Sequence, residues 1–119
     1  MPRKMSFAMT QEQIMVKTKT VTRRFGWLFL QKGDVLEPVE KCMGLKKGEK
    51  IKRICDVNGD PITIQIVSTR QEPLNKITPL EVAKEGFPWM STTEFIDMLA
   101  KQYKCDPAKT CNRILFKYI

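Results

Sequence analysis

The sequence contains no histidine. That removes Ser-His-Asp and Cys-His nucleophilic arrangements and the HExxH zinc helix. Acid–base chemistry falls instead to lysine, glutamate, aspartate, tyrosine or cysteine. The four cysteines, Cys42, Cys55, Cys105 and Cys111, form no CxxC pair, so no zinc ribbon is expected. A domain of this size does not need disulfides, and we expect four reduced, mostly buried thiols without a catalytic role. No metal or other cofactor is expected. No apolar run approaches the roughly 20 residues that cross a bilayer. The opening Met-Pro-Arg-Lys-Met-Ser carries positive charge with no apolar stretch behind it, so a cytoplasmic protein without membrane contact is the expectation. Internal repeats, low-complexity tracts and linkers are also missing.

What is present fits one soluble domain, residues 1–119, with 42% hydrophobic and 29% charged residues. Lys and Arg number 21 against 13 Asp and Glu, a net charge of +8. The excess is lopsided. Residues 1–53 hold 13 basic and 5 acidic side chains, whereas residues 54–119 hold 8 of each. One cluster is Lys17, Lys19, Arg23 and Arg24. The other is Lys41, Lys46, Lys47, Lys50, Lys52 and Arg53, relieved only by Glu49. A field of one sign concentrates polyanions, which points to RNA or a nucleotide as partner. The plainer reading is a solvated basic surface.

Along the chain, Met5–Met9 reads as a short strand. Thr10 and Gln13 have the spacing of a capping box opening a helix to about Val16, with Ile14 and Met15 as core candidates. Thr20–Phe25 are β-formers. Lys32-Gly33-Asp34 is a turn, and Val35–Met43 a strand in which Pro38 implies an edge or a bulge. Lys46-Lys47-Gly48 turns the chain again. Asn58-Gly59 is a hairpin signal between two strands, the second marked by alternating Ile62, Ile64 and Ile66. Thr78-Pro79-Leu80-Glu81 opens a helix that Gly86 ends, with Glu81 as capping glutamate. Ser91-Thr92-Thr93-Glu94 opens another, stapled by Met90 and Phe95, with Phe95, Ile96, Leu99 and Tyr103 facing the core. Pro107 stops the chain, and Ile114, Phe116 and Tyr118 mark a closing strand. Short strands with helices inserted between them suggest a small barrel flanked by helices.

Several of these segments together resemble the ASCH domain. They are Ser6-Phe7 before a short helix, Lys19-Thr20-Val21-Thr22-Arg23-Arg24, Lys32-Gly33-Asp34, Ile77-Thr78-Pro79 with Glu85-Gly86-Phe87, and Arg113-Ile114-Leu115-Phe116. The resemblance covers nearly the whole chain. It implies an α+β fold, a small mixed β-barrel of PUA-like type with helices packed at one end, and a cleft lined by the lysine–threonine segment. The family was first proposed to bind RNA. Some small bacterial members act as amidohydrolases on N4-acetylcytidine and others are ribonucleases, so fold alone does not assign function. The amidohydrolase residues match Lys19, Thr22 and Glu85.

A threonine hydroxyl needs a base, and a lysine is protonated unless burial or neighbouring cations depress its pKa. Thr22 as nucleophile, Lys19 as base or oxyanion partner and Glu85 as orienter or proton shuttle is one division of roles. Glu85 activating a water is another, and the sequence leaves both open. Lys19 and Thr22 converge only if the chain bends between them, since residues three apart on a flat strand face opposite sides. Glu85 falls in the last turn of its helix, where the macrodipole disfavours a carboxylate.

Arg23 and Arg24 face opposite sides of a regular strand, so one of them is expected to enter the cleft and bind phosphate or a base edge. Lys17 adds positive charge nearby, and Lys46, Lys47, Lys50, Lys52 and Arg53 are candidates for tracking a phosphate backbone. Trp89 either stacks on a base or tucks onto the core, the commoner arrangement. Trp27 is expected in the core or at a cleft wall. Compared with the smallest amidohydrolase members, Cys42–Gly59 is longer and more basic, which suits a polymer. The leading expectation is an RNA- or nucleotide-binding ASCH protein. An amidohydrolase on a modified nucleoside such as N4-acetylcytidine is the alternative, and a ribonuclease without histidine ranks last.

Overall fold

Alternation at Ile62, Ile64 and Ile66 buries all three side chains, and Ile64 begins the longest strand among the described residues. The computed structural model describes residues 2–41 and 45–119. In chain order the strands are β1 (Arg3–Ser6), β2 (Val21–Arg24), β3 (Val35–Val39), β4 (Ile64–Pro73) and β5 (Thr110–Tyr118). The helices are α1 (Gln11–Met15), α2 (Pro79–Lys84) and α3 (Thr92–Tyr103), with one 3-10 turn at Leu74–Lys76. The strands form one mixed sheet in the order β1-β3-β4-β5-β2. Among the described residues only the β1–β3 pair is parallel. Its spine is the long β4–β5 ladder, which carries a bulge between Ile66 and Ser68.

The sheet is open rather than a closed barrel. β1 and β2 are four residues each and occupy its two edges, and among the described residues no ladder joins them. One side chain crosses the gap instead: Arg24 Nη2 donates to the Ser6 carbonyl at 2.5 Å. Successive residues of β5 serve opposite faces. Ile114 and Phe116 join a core built with Met5, Phe7, Ile14 and Ile64. Cys111 joins a second core with Leu74, Val82, Phe95 and Leu99, beneath α2 and α3.

Local expectations fared unevenly. Ser91 and Glu94 form a complete capping box, and Met90 and Phe95 share the second core. Thr78 accepts from the Glu81 N–H, but the Glu81 carboxylate is diverted to Arg113 and Arg23 and closes no box. Thr10 precedes α1 without a side-chain cap, and the Gln13 amide, which would close the box, donates to the Gly86 carbonyl at 3.1 Å instead. The first strand ends at Ser6, where the chain turns at Ala8 and Met9.

Pro38 lies in an interior strand, yet the β3–β4 ladder stops at Leu36, so its missing N–H costs no ladder bond there. β3 ends at Val39, and the last residues of the expected strand, Cys42 and Met43, lie outside the described residues. The Asn58-Gly59 turn forms, but the isolated bridge Cys55–Pro61 spans it rather than two paired strands, and Arg53 before it bridges back to Val39. Tyr103 is exposed at the end of α3, beyond the core, with its ring edge-on to Phe25. Cys111 is buried, whereas Cys55 and Cys105 are only half-buried. Trp27 packs partly buried against the larger core.

Candidate functional site

The two edge strands frame a polar cavity of about 180 Å³. Ser6, Phe7 and Ala8 line it from the end of β1, and Thr22, Arg23 and Arg24 from β2. Lys19 and Glu85 contribute from the segments before β2 and after α2. Phe87, Met98, Leu99 and Tyr103 supply apolar walls, and Gln102 a polar one.

Lys19 stands in the irregular segment before β2, as the convergence argument requires. That segment is fastened to the C-terminus of α2. The Thr20 N–H donates to the Lys84 carbonyl, and Lys19 Nζ donates to the Glu85 carbonyl at 2.6 Å. A cation on the last carbonyls of a helix is electrostatically favourable. The same ammonium meets Glu85 Oε1 at 2.9 Å, and both side chains are almost fully buried. On β5, the Tyr118 hydroxyl donates to the Lys19 carbonyl. Burial lowers the Lys19 pKa, opposed by Glu85 and assisted by Arg24 and Arg23.

Arg23 and Arg24 both line the cavity but serve different partners. Arg24 Nε donates to Thr22 Oγ1 at 3.1 Å, and its guanidinium lies over the Phe7 ring at 4.9 Å. Thr22 and Arg24, two apart on β2, share a face. Arg23 is buried among carboxylates: Nη1 reaches Glu85 Oε2 at 3.1 Å, and Nη2 reaches Glu72 Oε1 at 2.8 Å and Glu81 Oε1 at 3.0 Å. Desolvation works against its charge, but Glu85, Glu81 and Glu72 outweigh it and raise its pKa. Arg113 grips Glu81 with a two-bond fork, Nε to Oε1 at 2.7 Å and Nη2 to Oε2 at 3.0 Å. That fork, ahead of Arg23, holds the Glu81 carboxyl down to about 2.

The structure therefore gathers Lys19, Thr22, Arg23, Arg24 and Glu85 at one cavity. The other candidates lie elsewhere. Lys17 lines a separate recess with Asp56, Asp60 and Tyr118. Arg53 pairs with Glu37 at 3.3 Å and donates to the Ile62 carbonyl at 2.6 Å, a role within the fold. Lys46, Lys47, Lys50 and Lys52 are exposed and line none of this cavity. Trp89 is 68% exposed, edge-on to Phe87, and neither enters the cavity nor tucks onto the core.

Sequence reasoning missed Glu72, Glu81 and Arg113. The spacing of Glu81 and Glu85 was the available signal, since residues four apart share a helix face. These carboxylates are occupied by guanidinium groups, and among the described residues no cluster of three or more Cys, Asp or Glu is placed to hold a metal ion.

An open mixed sheet with helices packed on both faces and a polar cavity between its edge strands defines the class of fold. A crystal structure of an ASCH domain from Lactobacillus crispatus JV V101 matches 98% of this chain and 78% of its own, with TM-score 0.59 and 13% identity. A protein from Enterococcus faecalis V583, described by the family model DUF984, matches 100% of this chain and 77% of its own, with TM-score 0.62 and 14% identity. No protein-family model and no curated protein matches the sequence. The chain thus has the fold of an ASCH domain, in agreement with the resemblance carried by Lys19–Arg24.

Proposed function

We propose that the cavity takes the base of a modified nucleoside and hydrolyses an N-acyl amide on it, N4-acetylcytidine being the type substrate. The observation that carries this is the buried Lys19–Glu85 pair in a small cavity shared with Thr22 and removed from the exposed basic run. A buried ion pair contributes little net stability, and perturbed titrating groups in a cavity mark functional sites. A space of this size holds one base, not a length of chain. The Phe7, Phe87 and Tyr103 rings supply apolar faces for it.

Neutral lysine has two N–H donors and one lone pair. Glu85 O and Oε1 accept the two donors, so the remaining position on Nζ is left for the reaction. Lys19, its pKa lowered by burial, takes the Thr22 proton as the hydroxyl oxygen attacks the acyl carbon. The C–N bond breaks, the proton passes to the leaving nitrogen, and water then hydrolyses the threonyl ester to release a carboxylic acid. Both Glu85 carboxylate oxygens already accept hydrogen bonds, Oε1 from Lys19 and Oε2 from Arg23. Orienting Lys19 suits it better than activating water.

The test is N4-acetylcytidine hydrolysis by wild type, Thr22→Ala, Thr22→Ser and Lys19→Ala. Cytidine and acetate from wild type, reduced but present in Thr22→Ser and absent in the two alanine variants, is the expected result. No product from any folded variant overturns the reading. The exposed Lys46, Lys47, Lys50 and Lys52 favour a second reading, salt-sensitive RNA binding that survives loss of Thr22.

A further inference from the structure

Three arginines stand in one row across the sheet. Arg23 on β2 is registered opposite Arg113 on β5, and Arg113 opposite Arg70 on β4. Like charges directly opposite on neighbouring strands repel. Glu81, projecting from α2, answers the row: it bonds Arg113 through a fork, meets Arg23 at 3.0 Å and stands 4.0 Å from Arg70. Glu72 assists, at 2.8 Å from Arg23 and 3.7 Å from Arg70. One turn beyond Glu81, Glu85 receives the other terminal nitrogen of Arg23. A helix of six residues is thus seated on the sheet partly by charge, and Glu85 is its C-cap.

We infer that Glu81 is a positioning residue of the cavity: gripped by Arg113, it satisfies one side of Arg23, so that Glu85 divides its carboxylate between Arg23 and Lys19 and keeps the Lys19 nitrogen in place. The inference rests on the reading of Lys19 as the working base, but it concerns geometry that exists without substrate. Without the Glu81 charge, Arg23 keeps only Glu72 and Glu85. It then draws Glu85 toward itself and away from Lys19. The charged groups acting on Lys19 are Glu85 at the end of α2 and Arg23 and Arg24 on β2, while the Tyr118 hydroxyl of β5 engages its carbonyl.

The experiment follows the Lys19 titration directly, by NMR of ¹³Cε-labelled lysine, in wild type, Glu81→Gln and Arg113→Lys. Arg113→Lys keeps the charge and loses the fork. The Lys19 midpoint is expected to fall by about one pH unit in Glu81→Gln and by about half a unit in Arg113→Lys. An unchanged midpoint in a folded Glu81→Gln protein overturns the proposal. So does a fall in Glu81→Gln with none in Arg113→Lys, because that is a field effect without positioning. If Glu81→Gln does not fold, Arg113→Lys decides alone by the same criterion. Absence of amide hydrolysis in wild type would remove the proposed function and leave this titration readable.

Discussion

Cutting the Lys19–Glu85 pair tests the site by stability alone. Glu85→Gln keeps shape and removes the charge that balances a buried ammonium 2.9 Å away. Removing one member of a buried pair costs about 3–5 kcal/mol. Lys19 can limit the loss by shedding its proton, and because burial has already lowered its pKa that step costs less than the about 5 kcal/mol of an ordinary lysine at pH 7. Lys19→Met should cost less, because Arg23 remains on Glu85 Oε2. The double variant should therefore recover part of the loss, with a coupling of at least about 2 kcal/mol.

Urea unfolding of the four proteins at pH 7 measures that coupling. The pH dependence supplies a second check. Burial lowers the Lys19 pKa below its ordinary 10.5, so across that window the unfolded chain binds more protons and stability rises with pH. Glu85→Gln lowers it further, and relief begins at lower pH. The deficit of Glu85→Gln against wild type should shrink as pH rises between the Lys19 midpoints of the two proteins, both below 10.5. A coupling below about 0.5 kcal/mol, or a deficit flat over that range, refutes the argument.

Other perturbations test neighbouring parts of the structure. Gly86 has φ +105°, and an added Cβ would stand 2.9 Å from Gln13 Cγ, so Gly86→Ala should cost about 1–3 kcal/mol and lower Tm by several degrees. An unchanged melting curve would contradict that close approach. Glu81 is held at about 2 against an ordinary 4.5, so its stabilisation is complete above pH 4.5 and is lost as pH falls toward 2. After allowing for solvent screening it is worth about 2 kcal/mol, and acid unfolding should begin at higher pH in Glu81→Gln, with the gap to wild type closing at pH 2. Replacing Lys46, Lys47, Lys50 and Lys52 by alanine should reduce the salt slope of any RNA binding by about 3, and an unaltered slope would exclude this run as a contact.

The parts legible in the sequence are those set by local spacing. Capping at Ser91, the turn at Lys32-Gly33-Asp34 and the burial alternation from Ile62 depend on residues a few positions apart. Lys19, Thr22 and Glu85 all came from the resemblance, and strand geometry added only the condition that the chain bend before Thr22. What escaped depends on strand register. Nothing local places Arg70 beside Arg113, 43 positions later, or Arg113 beside Arg23. Glu81 consequently read as a helix cap when its carboxylate is engaged across the sheet. The two basic clusters were both read as available to a polyanion, although Lys19 and Arg23 spend their charge internally and Arg53 serves the fold, while Lys17 and the lysine run face water.

The open sheet and the cavity have one cause. In a closed barrel the backbone groups of β1 and β2 would satisfy each other and fill the seam. Here both strands stop after four residues, and Arg24 bridges them through a side chain. A side chain spans a wider gap than a ladder bond and leaves room beside it. That room is lined by Ser6 and Phe7 on one edge and Thr22 on the other, and Lys19 enters through the irregular segment that leads into β2. Arg24 therefore ties the seam at Ser6 while engaging Thr22. Arg24→Lys, which keeps the charge but loses the planar fork, should loosen both contacts together. Backbone amide exchange at β1 and at Thr22 should quicken in parallel in that variant, and exchange that changes at only one of the two edges would mean that Arg24 does not join them.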